Sequence, residues 1–298
     1  MRQFIVENGK EKNGLIQLDG KDYRYLRQVL RVRSGDMISV RLSDGSLHNA
    51  TVARIDENAR RVTLQLCADT AGGGAEKSIT RGVQADELGE GGVAGAAEVE
   101  YWLFQFLPRP QKFELIVRQA TECGVSVIVP VIGEYSEKSS AQALMGAKKE
   151  RIQKIIREAR QQSGSPVDTK VLEPVSLEKA IELWASKNTV VEPVETTADL
   201  NCRDVAFVLS ERGDCDGNLR KVIEGTGGPS APLRDWKLKR VAIAVGSEGG
   251  ISPEEVKTLE EKGLFVPIHF AVNILRCETA ALYGIAAVQT EVGYKNVN

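Results

Sequence analysis

The sequence predicts an α/β fold in the larger, C-terminal part of the chain, with a small β-rich domain in front of it. Three observations lead there. From about Val99 apolar runs of strand character alternate with segments of helical period, whereas residues 1–66 hold short β-type runs separated by turn residues. The third is the stretch VAIAVGSEGGISPEEV, Val241 to Val256, in which an uncharged, β-branched and small-residue strand meets a glycine-rich turn and a helix start. Alternation of strands and helices implies a mostly parallel sheet covered by helices on both faces.

In the first domain, strands are expected at Gln3 to Glu7, Gly14 to Leu18, Met37 to Leu42, Leu47 to Ile55 and Arg61 to Leu66, with turns at Asp44-Gly45 and Glu57-Asn58. Asp22 to Arg31 reads as a helix, with Arg24, Arg27 and Arg31 at i, i+3 and i+7 on one face and Leu26, Val29 and Leu30 on another. An arginine stripe is often only a solvated face. On a small basic β-domain it also suits phosphate contact. Residues 68–98 are rich in Gly, Ala and acid, a composition that cannot offset ordering entropy, so they are expected to be a mobile insertion or linker. The domains are thus 1–67 and 99–298.

In the second domain the strands expected are Tyr101 to Leu107, Val125 to Ile132, Thr169 to Pro174, Val205 to Leu209, Val241 to Val245 and Val266 to His269. The helices are Gln111 to Cys123 with Gly124 as stop, Lys148 to Ser163 ended by Gly164, Leu177 to Ser186, Leu219 to Gly225, Pro253 to Lys262 and Glu278 to Val292. Ser252, Pro253 and Glu255 make an N-cap, a first helical proline and a capping box, and Gly263 is the expected stop.

Open α/β sheets bind ligands beyond the carboxyl ends of their strands. Three loops qualify: Ser210-Glu211-Arg212-Gly213, Gly246 to Gly250, and Ala271 to Arg276. If their strands are neighbours, the loops converge. Gly246, Gly249 and Gly250 permit a ligand to lie against the main chain. The spacing is neither that of a P-loop nor G-x-G-x-x-G, and Glu248 would oppose a phosphate. In NILRCET, Asn273 to Thr279, Arg276 and Glu278 stand at the mouth of an otherwise nearly uncharged helix and need partners or a ligand.

Composition excludes several classes. The net charge is −2, yet residues 1–66 carry twelve Lys/Arg against eight Asp/Glu, and 68–100 carry two against seven. Five scattered cysteines without C-x-x-C spacing suit a reducing compartment and no metal site. No apolar run spans a bilayer and the N-terminus lacks a signal-type apolar core, so a cytoplasmic protein without membrane contact is expected. Two histidines, His48 and His269, leave little material for histidine-centred chemistry.

The ordered motifs resemble a known family. GSEGGISPEE with NILRCETA is similar to the paired G-P-E-G-G-[FL]-[ST]-x-x-E and L-G-x-R-I-L-R-x-E-T-A motifs of the RsmE family, methyltransferases acting on N3 of a uridine in small-subunit (16S) ribosomal RNA. KFELIVRQATECGVSVIVPV from Lys112, RIQKIIREARQQSG from Arg151 and YLRQVLRVRSGD from Tyr25 resemble three further family segments, in the same order over nearly the whole chain. The departures are Ser247 for the family's proline, Ala271 for its glycine and Asn273 for its first arginine, with additional residues at 68–98 and around Pro229 to Trp236.

The resemblance implies a PUA-like β-barrel that grips RNA and a C-terminal SPOUT α/β domain whose chain threads a deep trefoil knot. It also implies a homodimer, S-adenosyl-L-methionine bound in the knot, and 16S ribosomal RNA or the small subunit as partner. Carried onto this chain, the donor is expected at Leu209, Ser210, Glu211, Gly246, Glu248, Gly249, Gly250, Ile274 and Leu275, and Thr279 either touches the donor or only bonds at the helix start. Ile274 and Leu275 supply an apolar wall or pack in the core. Arg276 would stabilise charge that spreads onto the uracil carbonyls or hold a phosphate, with Glu278 or Glu248 as base or as partner orienting Arg276. Arg24, Arg27, Arg31, Arg33, Arg109 and Lys112 are expected along the RNA path, although for Lys112 a solvated face of an amphipathic helix is an equal explanation. Two alternatives stay open: the same class acting on another RNA atom, and a non-catalytic RNA-binding relative.

Overall fold

The computed structural model describes residues 3–6, 10–67, 99–145, 148–186, 202–210, 219–224 and 237–297. The expectation for 68–98 lies outside these residues, as do Glu211 and the Pro229 to Trp236 stretch. The chain divides into two compact units, Met1–Ala97 and Glu98–Asn298.

The first unit runs β1 (Gln3–Ile5), β2 (Lys10–Lys12), β3 (Leu15–Leu18), α1 (Gly20–Arg24), a π-helical turn (Tyr25–Val29), β4 (Met37–Arg41), β5 (Leu47–Asp56) and β6 (Arg61–Leu66). Its strands form one sheet in the order β1-β4-β5-β6-β3-β2, antiparallel except for the parallel pair β1 and β4. Alternate residues of β3, β5 and β6 point inward, so Ile16, Leu18, Ala50, Val52, Val62 and Leu64 share a core with Phe4, Val40 and Leu26. The arginine stripe is corrected here. The α-helix ends at Arg24, the next turn is wider, and Arg31 sits beyond it with a left-handed φ of 54°. Arg24, Arg27 and Arg31 therefore do not form a single α-helical stripe. Arg27 is engaged locally, donating to the Val32 carbonyl at 2.9 Å and pairing with Glu57 at 2.8 Å. Arg24, Arg31 and Arg33 are exposed.

The second unit runs β7 (Glu100–Phe106), α2 (Pro110–Glu122), β8 (Val127–Ile132), α3 (Lys138–Met145), α4 (Lys148–Ser163), β9 (Lys170–Val171), β10 (Val175–Ser176) and α5 (Leu177–Ala185). There follow β11 (Cys202–Leu209), α6 (Leu219–Glu224), β12 (Lys237–Val245), α7 (Pro253–Gly263), β13 (Val266–Ile268) and α8 (Cys277–Val297). Strand order is β10-β8-β7-β12-β11-β13 with β9 beside β8, and every pairing is parallel.

The period-2 pattern of the strands builds two cores. Leu103, Phe207, Val241, Ile243 and Val245 face one side, against Phe113, Ile116 and Val117 of α2, Ile152 and Ile156 of α4, and Ile285 and Val288 of α8. Trp102, Phe104, Phe106, Ala242 and Ala244 face the other, against Ile181 and Trp184 of α5 and Leu259 of α7. Burial on both faces is why these strands carry so few charges. The helix α3 was not expected from the sequence. A second difference is at the end of α7, where Gly263 stays helical and the exposed Leu264 takes the left-handed turn with φ 56°. Space explains it: a Cβ on Gly263 would lie 2.9 Å from the Phe265 ring and 3.3 Å from Ile181.

Candidate functional site

Strand β7 enters the sheet at its middle, with β8 on one side and β12 on the other. Chain direction across the sheet reverses there, and ligands bind such sheets at that crevice. Beyond the carboxyl ends of β11, β12 and β13, which are adjacent, lies a cleft of about 910 Å³. The loops after all three strands line it, as the sequence rule expects of neighbouring strands.

The glycine loop is anchored from below and from the side. Buried Gln105 of β7 donates to the carbonyls of Gly246 at 3.0 Å and Val245 at 3.3 Å. Ser247, standing where the family has proline, donates its hydroxyl to the Tyr135 carbonyl at 2.9 Å and so ties the loop to the turn after β8. Gly250 turns with φ 80°, and its N–H bonds the Ser247 carbonyl at 3.1 Å. A Cβ on Gly246 would meet Gly250 backbone at 2.6 Å. The helix α7 then starts in the expected capping box: Glu255 accepts from the Ser252 N–H at 3.0 Å while the Ser252 hydroxyl accepts from Glu255.

The opposite wall is the segment from His269 to Cys277. His269 donates from Nδ1 to the Ser210 carbonyl at 3.1 Å, which joins the loops after β11 and β13. Ile274 is 80% exposed and lines the cleft, so it is not a core residue; Leu275 is half-buried beside it. Arg276 is exposed and lines the cleft.

The charges pair differently from the sequence expectation. Glu278 is 3.3 Å from the Nζ of Lys112, and Glu248 is 3.6 Å from the same atom; Arg276 makes no ion pair among the described residues. The Cys277 thiol donates to Glu278 at 3.2 Å. Burial, reinforced by the neighbouring Glu278 carboxylate, pushes that thiol up to about 12. Burial works against ionising Glu278, but hydrogen bonds from its own backbone, Cys277 and Lys112 outweigh it and hold the carboxyl below its usual range. Lys112 is held above its usual value: desolvation opposes this, and the surrounding Cys277, Glu278 and Glu248 prevail.

Of the sequence-predicted donor residues, Leu209, Ser210, Gly246, Glu248, Gly249, Gly250, Ile274 and Leu275 line the cleft. Thr279 is exposed in the first turn of α8 and is not part of the lining, and Glu211 lies outside the described residues. Lys112 lines the cleft, whereas Arg109 is the exposed N-cap of α2, its N–H donating to Glu248 at 3.2 Å. Tyr135 and His269 were missed. Gly133 to Ser136 follows an apolar strand, so the rule that selected the other three loops would have selected this one as well. Among the described residues no cluster of His, Cys, Asp and Glu could hold a metal, and no helix is long and apolar enough to cross a membrane.

A small β-unit and an α/β unit whose cleft lies beyond the carboxyl ends of adjacent parallel strands define an α/β protein with an additional β-domain. Family comparison specifies it: residues 96–289 match the RNA methyltransferase domain and residues 18–65 the RNA methyltransferase PUA domain. The chain belongs to this RNA methyltransferase family. It is 24% identical to the ribosomal RNA small subunit methyltransferase E 2 of Borreliella burgdorferi, covering 96% of both chains. It is 30% identical to the ribosomal RNA small subunit methyltransferase E of Aquifex aeolicus over 57% of this chain and 58% of that one. The fold is shared with the crystal structure of the ribosomal RNA small subunit methyltransferase E of Neisseria gonorrhoeae bound to S-adenosyl methionine, at a TM-score of 0.65, 23% identity and 97% coverage of each chain.

Proposed function

We propose that this protein transfers a methyl group from S-adenosylmethionine to N3 of a uridine in small-subunit (16S) ribosomal RNA, in the cytoplasm and as a homodimer. The observation that carries the reading is the cleft itself, formed by the Gly246–Gly250 turn and the His269–Cys277 wall within a family of RNA methyltransferases. The names of the relatives supply the small-subunit target, and the resemblance of GSEGGISPEE and NILRCETA to the RsmE motifs supplies the atom.

The residues present fit the donor. A bound S-adenosylmethionine supplies an electrophilic methyl group on a sulfonium. The glycine turn is too tightly packed to carry side chains, a Cβ on Gly246 meeting Gly250 backbone and one on Gly249 meeting Tyr135, so main chain borders the cleft, and exposed Ile274 offers an apolar surface. Arg276, exposed in the lining of the cleft, is the cation we assign to charge that develops on uracil oxygens as N3 loses its proton. Glu278, held ionised, is a poor base and acts as a fixed anion. The resemblance of GSEGGISPEE and NILRCETA to the RsmE motifs is what supports a SPOUT-type trefoil knot in 99–298. The exposed Arg24, Arg31 and Arg33 support RNA docking by 1–67.

Methyl transfer to unmodified small subunits, followed by mass spectrometry of the nucleosides, tests this reading. N3-methyluridine is expected. A methyl group on ribose or guanine would replace the target atom, and no donor binding by calorimetry would overturn the enzymatic role.

A further inference from the structure

Three elements distant in sequence meet at one ammonium group. Lys112 lies in the first turn of α2, Glu248 in the loop after β12, and Glu278 at the start of α8. The Lys112 Nζ is 3.6 Å from Glu248 and 3.3 Å from Glu278. The three side chains are 29%, 32% and 16% exposed, so the group is largely withdrawn from water. Each carboxylate has a second tether: the Arg109 N–H on Glu248 at 3.2 Å and the Cys277 thiol on Glu278 at 3.2 Å. The Lys112 N–H bonds the Arg109 carbonyl at 3.0 Å, so the lysine and the loop entering α2 form one support.

We propose that Lys112 is a positioning residue, a strut that joins the glycine loop to the mouth of α8 and thereby sets the spacing of the two walls of the donor cleft. The inference rests on the donor-binding reading above. Lys112 was expected along the RNA path, where it would pair with phosphate; both of its ion pairs are instead internal. Its charge is not a reservoir for proton transfer near neutrality, because the carboxylates hold the ammonium protonated and the ammonium helps hold Glu278 ionised. What the group does is mechanical. Removing the cation leaves two half-buried carboxylates facing each other across the junction of the walls, and like charges drive them apart.

The experiment measures S-adenosylmethionine affinity by calorimetry without RNA, then kcat and the KM for small subunits at saturating donor. Lys112→Met keeps the stem and removes the charge; its donor affinity is expected to fall about tenfold, the scale set by two partly exposed ion pairs. Its KM for subunits should stay at the wild-type value, and Lys112→Arg should restore donor affinity to within about threefold, since a guanidinium can span both carboxylates. The pair Glu248→Gln with Glu278→Gln should also weaken the donor, and adding Lys112→Met to it should cost little more, since the strut is already cut. Wild-type donor affinity in Lys112→Met, a change confined to the KM for subunits, or strictly additive losses would each overturn the strut. If Lys112→Met does not fold, the double glutamine variant decides, and unaltered donor binding there overturns the proposal. Absence of donor binding by the wild type is a different result, which removes the functional reading itself.

Discussion

Gly246→Ala places a methyl group against main chain that has nowhere to go. Its Cβ would lie 2.6 Å from the carbonyl carbon of Gly250, 2.8 Å from its Cα and 2.9 Å from its oxygen, where contacts under 3.0 Å are essentially never seen. The turn would have to open by about 0.4 Å at its tightest point, and three hydrogen bonds resist that: Gln105 on the Gly246 carbonyl, Gly250 N–H on the Ser247 carbonyl, and Ser247 on the Tyr135 carbonyl. Overpacking of this kind costs about 1–3 kcal/mol. In a unit the size of Glu98–Asn298, roughly 2–4 °C of Tm is lost per kcal/mol, so a drop of roughly 2–12 °C is expected in thermal unfolding. Donor affinity should fall at least about tenfold, since the wall itself has moved. Gly293→Ala is the control: it lies in α8 with nothing within 4 Å, and alanine should stabilise the helix by up to about 1 kcal/mol. A Gly246→Ala protein with wild-type Tm and donor affinity would refute the claim that this turn is a tight wall of the cleft.

If Arg276 has the proposed role on charge that appears only during reaction, Arg276→Ala should reduce kcat at least about a hundredfold while leaving donor binding nearly unchanged; equal kcat in a subunit methylation assay would remove its role. Ser252→Ala breaks the capping box of α7 and should cost about 0.5–2 kcal/mol in urea unfolding, and a cost near zero would mean that Glu255 alone holds the turn. Cys277, buried and with its thiol pushed up to about 12, should resist iodoacetamide in the folded protein at pH 8, as read by mass spectrometry; ready labelling there would contradict the packing around α8. The folded carboxyl of Glu278 is depressed, so its contribution to stability is present above the unfolded carboxylate pKa and is lost as pH falls through the lower folded value. Glu278→Gln should therefore flatten the acid limb of the stability curve, and an unchanged limb would show that the Lys112 pair contributes nothing.

Much of this fold was legible because it depends on local pattern. Both-face burial made Tyr101 to Leu107, Val125 to Ile132, Val205 to Leu209 and Val241 to Val245 read as uncharged apolar runs, and Ser252, Pro253 and Glu255 announced a helix start that the structure has. Local rules erred where packing intervened. Gly263 looked like a helix stop, yet the ring of Phe265 needs its missing Cβ, and the left-handed position fell to Leu264. The arginine periodicity of 24, 27 and 31 assumed a regular helix, and a π-turn interrupts it.

By itself the sequence determined the alternation of elements, the glycine turn, the charged mouth of α8 and, through ordered motifs, the family. These are properties of neighbouring residues, which period and propensity encode directly. Only the tertiary structure decided that β11, β12 and β13 lie side by side, that Ser247 reaches Tyr135, and that Lys112 faces both Glu248 and Glu278. Charge pairing across more than a hundred residues of chain has no periodic signature; it is set by which strands meet in the sheet, and so by the packing of the whole unit.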